Sequence, residues 1–84
     1  MITIYGKNNC NYCDRAKALT EAMGFPYEYK NAETDPAVME ELMARNPSAR
    51  SAPQIWWDDR YIGSFDQYAL EVENTSGGYG EGTF

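Results

Sequence analysis

Histidine is absent from this 84-residue chain, and cysteine occurs only twice, as Cys10 and Cys13. The first absence removes the commonest general base, the Ser-His and Cys-His catalytic pairs, and most zinc sites. The second leaves two thiols too close together in sequence to staple a small secreted fold. Basic residues are also few, seven against thirteen acidic, so the formal net charge is -6. A field of that sign repels phosphate backbones, and nucleic acid is not an expected partner. No apolar run approaches the ~20 residues that cross a bilayer, and Met1 to Tyr5 lacks the basic and apolar regions of a signal peptide. A cytoplasmic chain without a membrane partner is therefore expected. The length excludes two independent cores. What is present suffices for one, because 43% of the residues are hydrophobic, which argues against global disorder.

Ile2 and Ile4 share a face of a short strand over Met1 to Tyr5, and Gly6 with Asn8 and Asn9 marks the loop that follows. From Asn11 to Gly24 the residues Ala16, Leu19 and Met23 recur at helical spacing, with Asp14, Arg15, Lys17 and Glu21 mostly opposite and Gly24 as a stop. Phe25 to Lys30 reads as a strand. Asp35-Pro36 supplies an N-cap and a proline at the first helical position. The helix it opens runs to about Arg45, burying Val38 or Met39 with Leu42 and Met43, until Asn46-Pro47-Ser48 breaks it. Gln54 to Trp57 and Tyr61-Ile62 form a hairpin around Asp58-Asp59-Arg60, with Trp56 and Trp57 on opposite sheet faces. Ser64-Phe65-Asp66-Gln67 fits a capping box for a third helix over about Phe65 to Glu73. Residues 74–84 are Gly-rich and aperiodic, and read as a flexible tail to a domain covering 1–73. The order β-α-β-α-β-β-α joins the first two strands by a right-handed crossover, hence parallel, with the hairpin adding antiparallel strands. The expected architecture is an α/β fold with a mixed four-stranded sheet and three helices on its two faces.

A C-x-x-C pair is also found as half of a zinc site, but no further Cys or His exists here to complete one, so no metal is expected. An inert local disulfide, or two buried thiols, is the plainer alternative. Position argues against it. A pair that follows a strand and opens a helix sets its first sulfur beside unpaired backbone N–H groups and the positive end of the helix dipole, which stabilises a thiolate. Lowering a thiol pKa from ~8.5 to ~5 raises the thiolate fraction at pH 7 about 30-fold, yet a Brønsted slope near 0.4 to 0.5 removes a similar factor in nucleophilicity. The gain lies in leaving, because a low-pKa Cys10 departs easily from a mixed disulfide. Cys13, one turn inside, is suited to resolving that intermediate.

Two further segments accompany the pair. Lys7-Asn8-Asn9-Cys10-Asn11-Tyr12-Cys13, Ser51-Ala52-Pro53-Gln54-Ile55 and Tyr61-Ile62-Gly63-Ser64-Phe65-Asp66-Gln67 together resemble the glutaredoxin family, whose motifs read K-x-x-C-P-Y-C, T-V-P-Q-I-F and I-G-G-x-D-D. The resemblance extends to about Val72, and the stretches from Tyr12 to Lys17 and Gly63 to Gln67 look most like glutaredoxins of tailed bacteriophages, which would act in a host cytoplasm. It implies a thioredoxin-like fold, with Cys10 and Cys13 as the catalytic redox pair. It also implies glutathione as the reducing co-substrate. Lys7 resembles the family lysine that attracts the glycine carboxylate of glutathione, and Arg50 stands where it could assist. Ala52-Pro53 resembles the cis-proline loop whose backbone pairs with the glutathione cysteine. Asp66 and Gln67 match the positions that hold the γ-glutamyl end, and Tyr12 matches the tyrosine beside the site. Three residues depart from the pattern: Asn11 replaces proline, Ala52 replaces valine, and Ser64 replaces the second glycine of a Gly-Gly pair.

The resulting expectation is a monomeric glutathione-dependent thiol-disulfide oxidoreductase. Its substrates would be protein disulfides and glutathione mixed disulfides, with ribonucleotide reductase among the partners the family suggests. Two alternatives stay open: a thioredoxin-like reductant served by a flavoprotein reductase, and a dimer bridging an iron-sulfur cluster through Cys10 and glutathione.

Overall fold

A computed structural model of the chain describes residues 1–75. Its central strand, β1 (Ile2–Gly6), has alternating side chains that serve two different cores. Along the chain follow α1 (Asn11–Met23), β2 (Tyr27–Asn31), α2 (Pro36–Arg45), β3 (Gln54–Trp57), β4 (Arg60–Gly63) and α3 (Phe65–Thr75). The sheet order is β2-β1-β3-β4, with β1 parallel to β2 and antiparallel to β3, and β3 antiparallel to β4. This is the expected mixed sheet.

Ile2, Ile4 and Ile55 meet Ala16 of α1 and Tyr68 and Val72 of α3 on one face. Burying each isoleucine contributes about 1.5–3 kcal/mol. Tyr5 and Trp56, one position along in β1 and β3, point to the other face and pack with Ala32, Leu42 and Ala49 under α2. Trp57 returns to the first face, so the two tryptophans divide between the cores as their neighbouring positions in a strand require. Gly24 closes α1 in the left-handed conformation that glycine adopts without strain. At the N-terminus of α2, Asp35 Oδ1 accepts from Ala37 N at 3.0 Å ahead of Pro36. Gly6 has a different need: a Cβ there would lie 2.1 Å from the Tyr29 hydroxyl oxygen. A side chain there would force the Tyr29 ring to move aside.

Several local expectations change. β2 begins at Tyr27 rather than Phe25; Phe25 instead packs its ring 5.2 Å from Trp57. In α2, Leu42 is buried with Val38 and Met43 beside it, whereas Met39 is 41% exposed. The capping box of α3 forms in half: Gln67 Oε1 accepts from Ser64 N at 3.2 Å, but the Ser64 hydroxyl also turns to that same oxygen. α3 continues through Asn74 and Thr75, two residues past the expected boundary, and the remainder of the expected tail lies outside the described residues.

Two polar groups join helices to the sheet and to each other. Thr20, fully buried in α1, donates to Ala16 O at 2.7 Å and shares a 2.5 Å hydrogen bond with the Tyr68 hydroxyl of α3. On the opposite face the Tyr5 hydroxyl donates to Glu41, Lys30 Nζ lies 2.7 Å from the same carboxylate oxygen, and Arg45 Nη1 donates to Tyr5 at 3.2 Å. Hydrogen bonds from Lys30 and then Tyr5 hold the Glu41 carboxyl below the ordinary carboxylate range.

Because the folded Glu41 pKa is depressed, its stabilisation is present above the unfolded-state value and is lost as pH falls through the folded one. Glu41→Gln is expected to cost about 0.5–1 kcal/mol in urea unfolding near neutral pH, the discount reflecting a part-exposed pair. The difference from the parent should close on acidification through the carboxylate range. A difference independent of pH would assign the effect to packing. Tyr68→Phe should cost about 1 kcal/mol, and the Thr20→Val, Tyr68→Phe double variant less than the sum of the two single changes, measured by the same unfolding curves.

Candidate functional site

The strand-to-helix junction after β1 sets Cys10 at the N-cap of α1, with extended backbone (φ -121°, ψ 103°). Its Sγ accepts from Cys13 N at 3.1 Å. A helix leaves its first N–H groups without partners, and here a sulfur fills the place usually taken by a Ser or Asp oxygen. The pair is oxidised to a disulfide with the Cα atoms 5.2 Å apart. Cys10 is 9% exposed and Cys13 is fully buried, so only one of the two sulfurs has a surface to offer.

The loop before Cys10 is tied from β2. Ala32 N donates to Gly6 O at 2.8 Å, Asn8 N to Glu33 Oε1 at 2.9 Å, and Asn31 Nδ2 to Asn8 Oδ1 at 2.9 Å. Asn9 takes a left-handed φ of 52°, which asparagine tolerates. The turn into α1 is thereby fixed by side chains that sequence reasoning assigned no role. Asn8 showed only as a turn former, and Glu33 lies 23 positions from Cys10 with no spacing to connect them.

On the far side of the sulfur stands the Ala52-Pro53 peptide, which is cis. Cys10 Sγ lies 3.8 Å from Ala52 O. Buried Gln54 secures that loop: its Nε2 donates to Ser51 O at 2.9 Å, and its Oε1 accepts from Tyr61 at 2.6 Å and Asn46 at 3.4 Å. Gln54 stood within the motif without a separate role, and only the fold reveals what its amide holds.

Ala52 separates two depressions. The smaller, about 180 Å³, is lined by Tyr12, Ala52, Pro53, Ser64, Phe65 and Asp66. Tyr12, 53% exposed, sets its ring 5.9 Å from that of Phe65 and carries the Arg15 guanidinium 5.2 Å over its face. The half-formed cap matters here. Among the described residues the Ser64 hydroxyl takes neither the Asp66 nor the Gln67 N–H, so the start of α3 keeps donors for an anion. Gln67 itself turns back on Ser64 and does not line this pocket. The larger depression, about 690 Å³, lies toward α2 and includes Lys7, Arg50 and Ser51. Lys7 is exposed and, among the described residues, makes no hydrogen bond or ion pair. Arg50 bonds carbonyls of its own loop, Pro47 O at 3.3 Å and Ala49 O at 3.0 Å. Of the expected site residues, Ala52 lies against Cys10 Sγ and lines both depressions, Lys7 and Arg50 line the larger, and Tyr12, Pro53 and Asp66 line the smaller.

No group of three or more Cys, Asp or Glu side chains that would hold a metal occurs among the described residues, and no helix there is long and apolar enough to cross a membrane. The Cys10–Cys13 pair supports thiol-disulfide exchange, in which a thiolate attacks one sulfur of a disulfide and expels the other with its electron pair.

Known proteins carry the same arrangement. The glutaredoxin family model matches residues 2–62. Glutaredoxin 3 of Escherichia coli K12 is 37% identical over 72 residues, covering 84% of this chain and 86% of that one. The solved structure of reduced Escherichia coli glutaredoxin superposes with a TM-score of 0.77 at 28% identity, over 89% of this chain and 95% of that one. That of Escherichia coli NrdH-redoxin, a glutaredoxin-like protein with a thioredoxin-like activity profile, gives 0.69 at 30% identity, over 84% and 91%. With its thioredoxin-like fold and its Cys10-x-x-Cys13 pair, the chain belongs to the glutaredoxin family and is a thiol-disulfide oxidoreductase.

Proposed function

We propose that the protein uses glutathione as its reductant and that Cys10 is the attacking residue. The observation that carries this reading is the pair of depressions that share Ala52 as a wall, with Cys10 Sγ 3.8 Å from the Ala52 carbonyl oxygen. A tripeptide laid across the sulfur would set its γ-glutamyl end at Asp66 and the first N–H groups of α3, where the α-amino group meets a carboxylate and the α-carboxylate meets free donors. Its cysteine would pair with the Ala52 backbone beside Pro53 and Tyr12. Its glycine carboxylate would face Lys7, with Arg50 near. Gln67 contributes by holding Ser64, and so the helix start, rather than by direct contact.

In the forward reaction the Cys10 thiolate bonds to one sulfur of the substrate disulfide and the other sulfur leaves as a thiolate. The Cys13 thiolate then attacks the Cys10 sulfur, closing the 10–13 disulfide and releasing the second substrate thiolate. On a glutathione mixed disulfide a second glutathione can instead attack the glutathionyl sulfur, freeing Cys10 and forming glutathione disulfide. Disulfide-bearing and glutathionylated proteins in the cytoplasm, ribonucleotide reductase among them, are the substrates of this reading, with the protein acting as a monomer. A second reading, reduction by a flavoprotein reductase, is favoured by the likeness to NrdH-redoxin and by Asn11, which departs from the proline of the family motif.

Cys10→Ser should abolish all thiol-disulfide activity. Cys13→Ser should keep reduction of small glutathione mixed disulfides while failing on substrates that need the intramolecular step. The opposite pattern would reverse the two roles, and loss of both activities in Cys13→Ser would remove the monothiol route. In the reduced protein, Lys7→Gln should shift the pH profile of Cys10 alkylation upward and raise KM for glutathione, since a nearby positive charge is lost. A profile that coincides with the parent would take Lys7 out of the site.

A further inference from the structure

The depression on the α2 side is far larger than a glycine requires. It measures about 690 Å³, within the range of ligand sites, and its wall is apolar, formed in part by Met39, Leu42, Met43 and Ala49. Met39 is 41% exposed on a helix whose other large apolar residues turn inward. Under the glutathione reading only the glycine, which has no side chain, enters this groove. The methionine wall then stays unfilled.

We propose that this groove is a specificity site for polypeptide disulfides, taking a large apolar side chain one or two residues C-terminal to the substrate cysteine. The assignment rests on the chain direction proposed above, from Asp66 across Cys10 to Lys7. Two features select this occupant. The groove adjoins the sulfur, because Ala52, whose carbonyl oxygen lies 3.8 Å from Cys10 Sγ, is part of its wall, so a chain paired with the Ala52 backbone reaches it within a residue or two. Lys7 and Arg50 line it as well, against the single carboxylate of Glu33, whose Oε1 already accepts from Asn8 N, so on a chain of net charge -6 the groove is locally cationic and complementary to a peptide carboxylate. Methionine suits such a wall, since its unbranched, polarizable side chain adapts to different apolar groups. Two copies, each of net charge -6, repel one another overall.

The test is a single-turnover reaction of full-length protein, reduced and freed of reductant, with short peptides whose one cysteine is joined to 5-thio-2-nitrobenzoate. Cys10 attacks the peptide sulfur, the chromophoric thiolate leaves with the bonding pair, and Cys13 then displaces the peptide thiolate. The coloured release reports the first step alone. A peptide with leucine two residues after its cysteine should react at least about fivefold faster than one with serine there, the scale on which apolar pockets discriminate. Met39→Glu and Met43→Gln should each bring that ratio close to one, while the rate on the glutathione adduct of the same chromophore stays within about twofold of the parent. Equal leucine and serine rates in the parent, or a ratio that survives in both variants, would overturn the proposal. A preference for leucine before the cysteine would overturn it too, by reversing the chain direction. Sedimentation that shows a dimer lost in Met39→Glu would give the groove to a second copy. Failure of the glutathione reading shows separately, as inability of glutathione to reduce the 10–13 disulfide, a step this experiment does not contain.

Discussion

A sulfur at a helix N-cap governs the rest of this molecule. The hydrogen bond from Cys13 N to Cys10 Sγ, 3.1 Å long, does for α1 what a serine or aspartate oxygen does for an ordinary helix. It also aligns the sulfur with the positive end of the helix dipole, which favours an anionic sulfur. One interaction therefore serves stability and chemistry together. The backbone around it is held from three directions: β1 delivers the chain, Asn31 and Glu33 tie the loop at Asn8, and Gln54 fixes the Ala52-Pro53 loop opposite. The two cores below exist to keep these three segments in register, and the alternation of Ile4 with Tyr5 and of Ile55 with Trp56 divides the sheet between α1 and α3 on one face and α2 on the other.

The elements were legible where local physics decides them. Gly24 and Asp35-Pro36 act as their backbone preferences require, whereas the hairpin loop expected over Asp58-Asp59-Arg60 tightens to Asp58-Asp59, with Arg60 joining β4 and Asp58 at a φ of 57°. Strand pairing followed from the right-handed crossover rule. What sequence could not give was partnership at a distance. Thr20 had no part in the helical pattern read from the sequence, and only the approach of Tyr68 from 48 positions away makes it a buried hydrogen-bonding group. Tyr5 seemed one more strand residue, yet it is the hub between Glu41 and Arg45. Likewise the Ser64-x-x-Gln67 pattern promised two reciprocal bonds. The hydroxyl turned to the glutamine oxygen instead, and backbone donors beside Asp66 were left open.

The site was legible in its residues but not in its arrangement. Three motifs named Lys7, Ala52, Pro53 and Asp66 beside Cys10, while the fold divides these four between two unequal depressions that meet at Ala52. That asymmetry comes from α2. Leu42 anchors the helix to Tyr5 and Trp56, and the turn before it leaves Met39 facing outward beside the groove. Helical periodicity alone treated Val38 and Met39 as equivalent candidates for the core, since they are adjacent and similarly apolar. Which one lies inward depends on the rotation of α2 against the sheet.

The most direct measurement of glutathione dependence follows the oxidised protein as it is re-reduced. Glutathione with glutathione reductase and NADPH is compared against a thioredoxin-type flavoprotein reductase with NADPH and no glutathione. Sustained turnover of a glutathione mixed disulfide in the first system, with little in the second, is the result the two-sided site predicts. Turnover confined to the second system would contradict it and make the protein a thioredoxin-like reductant on a glutaredoxin frame.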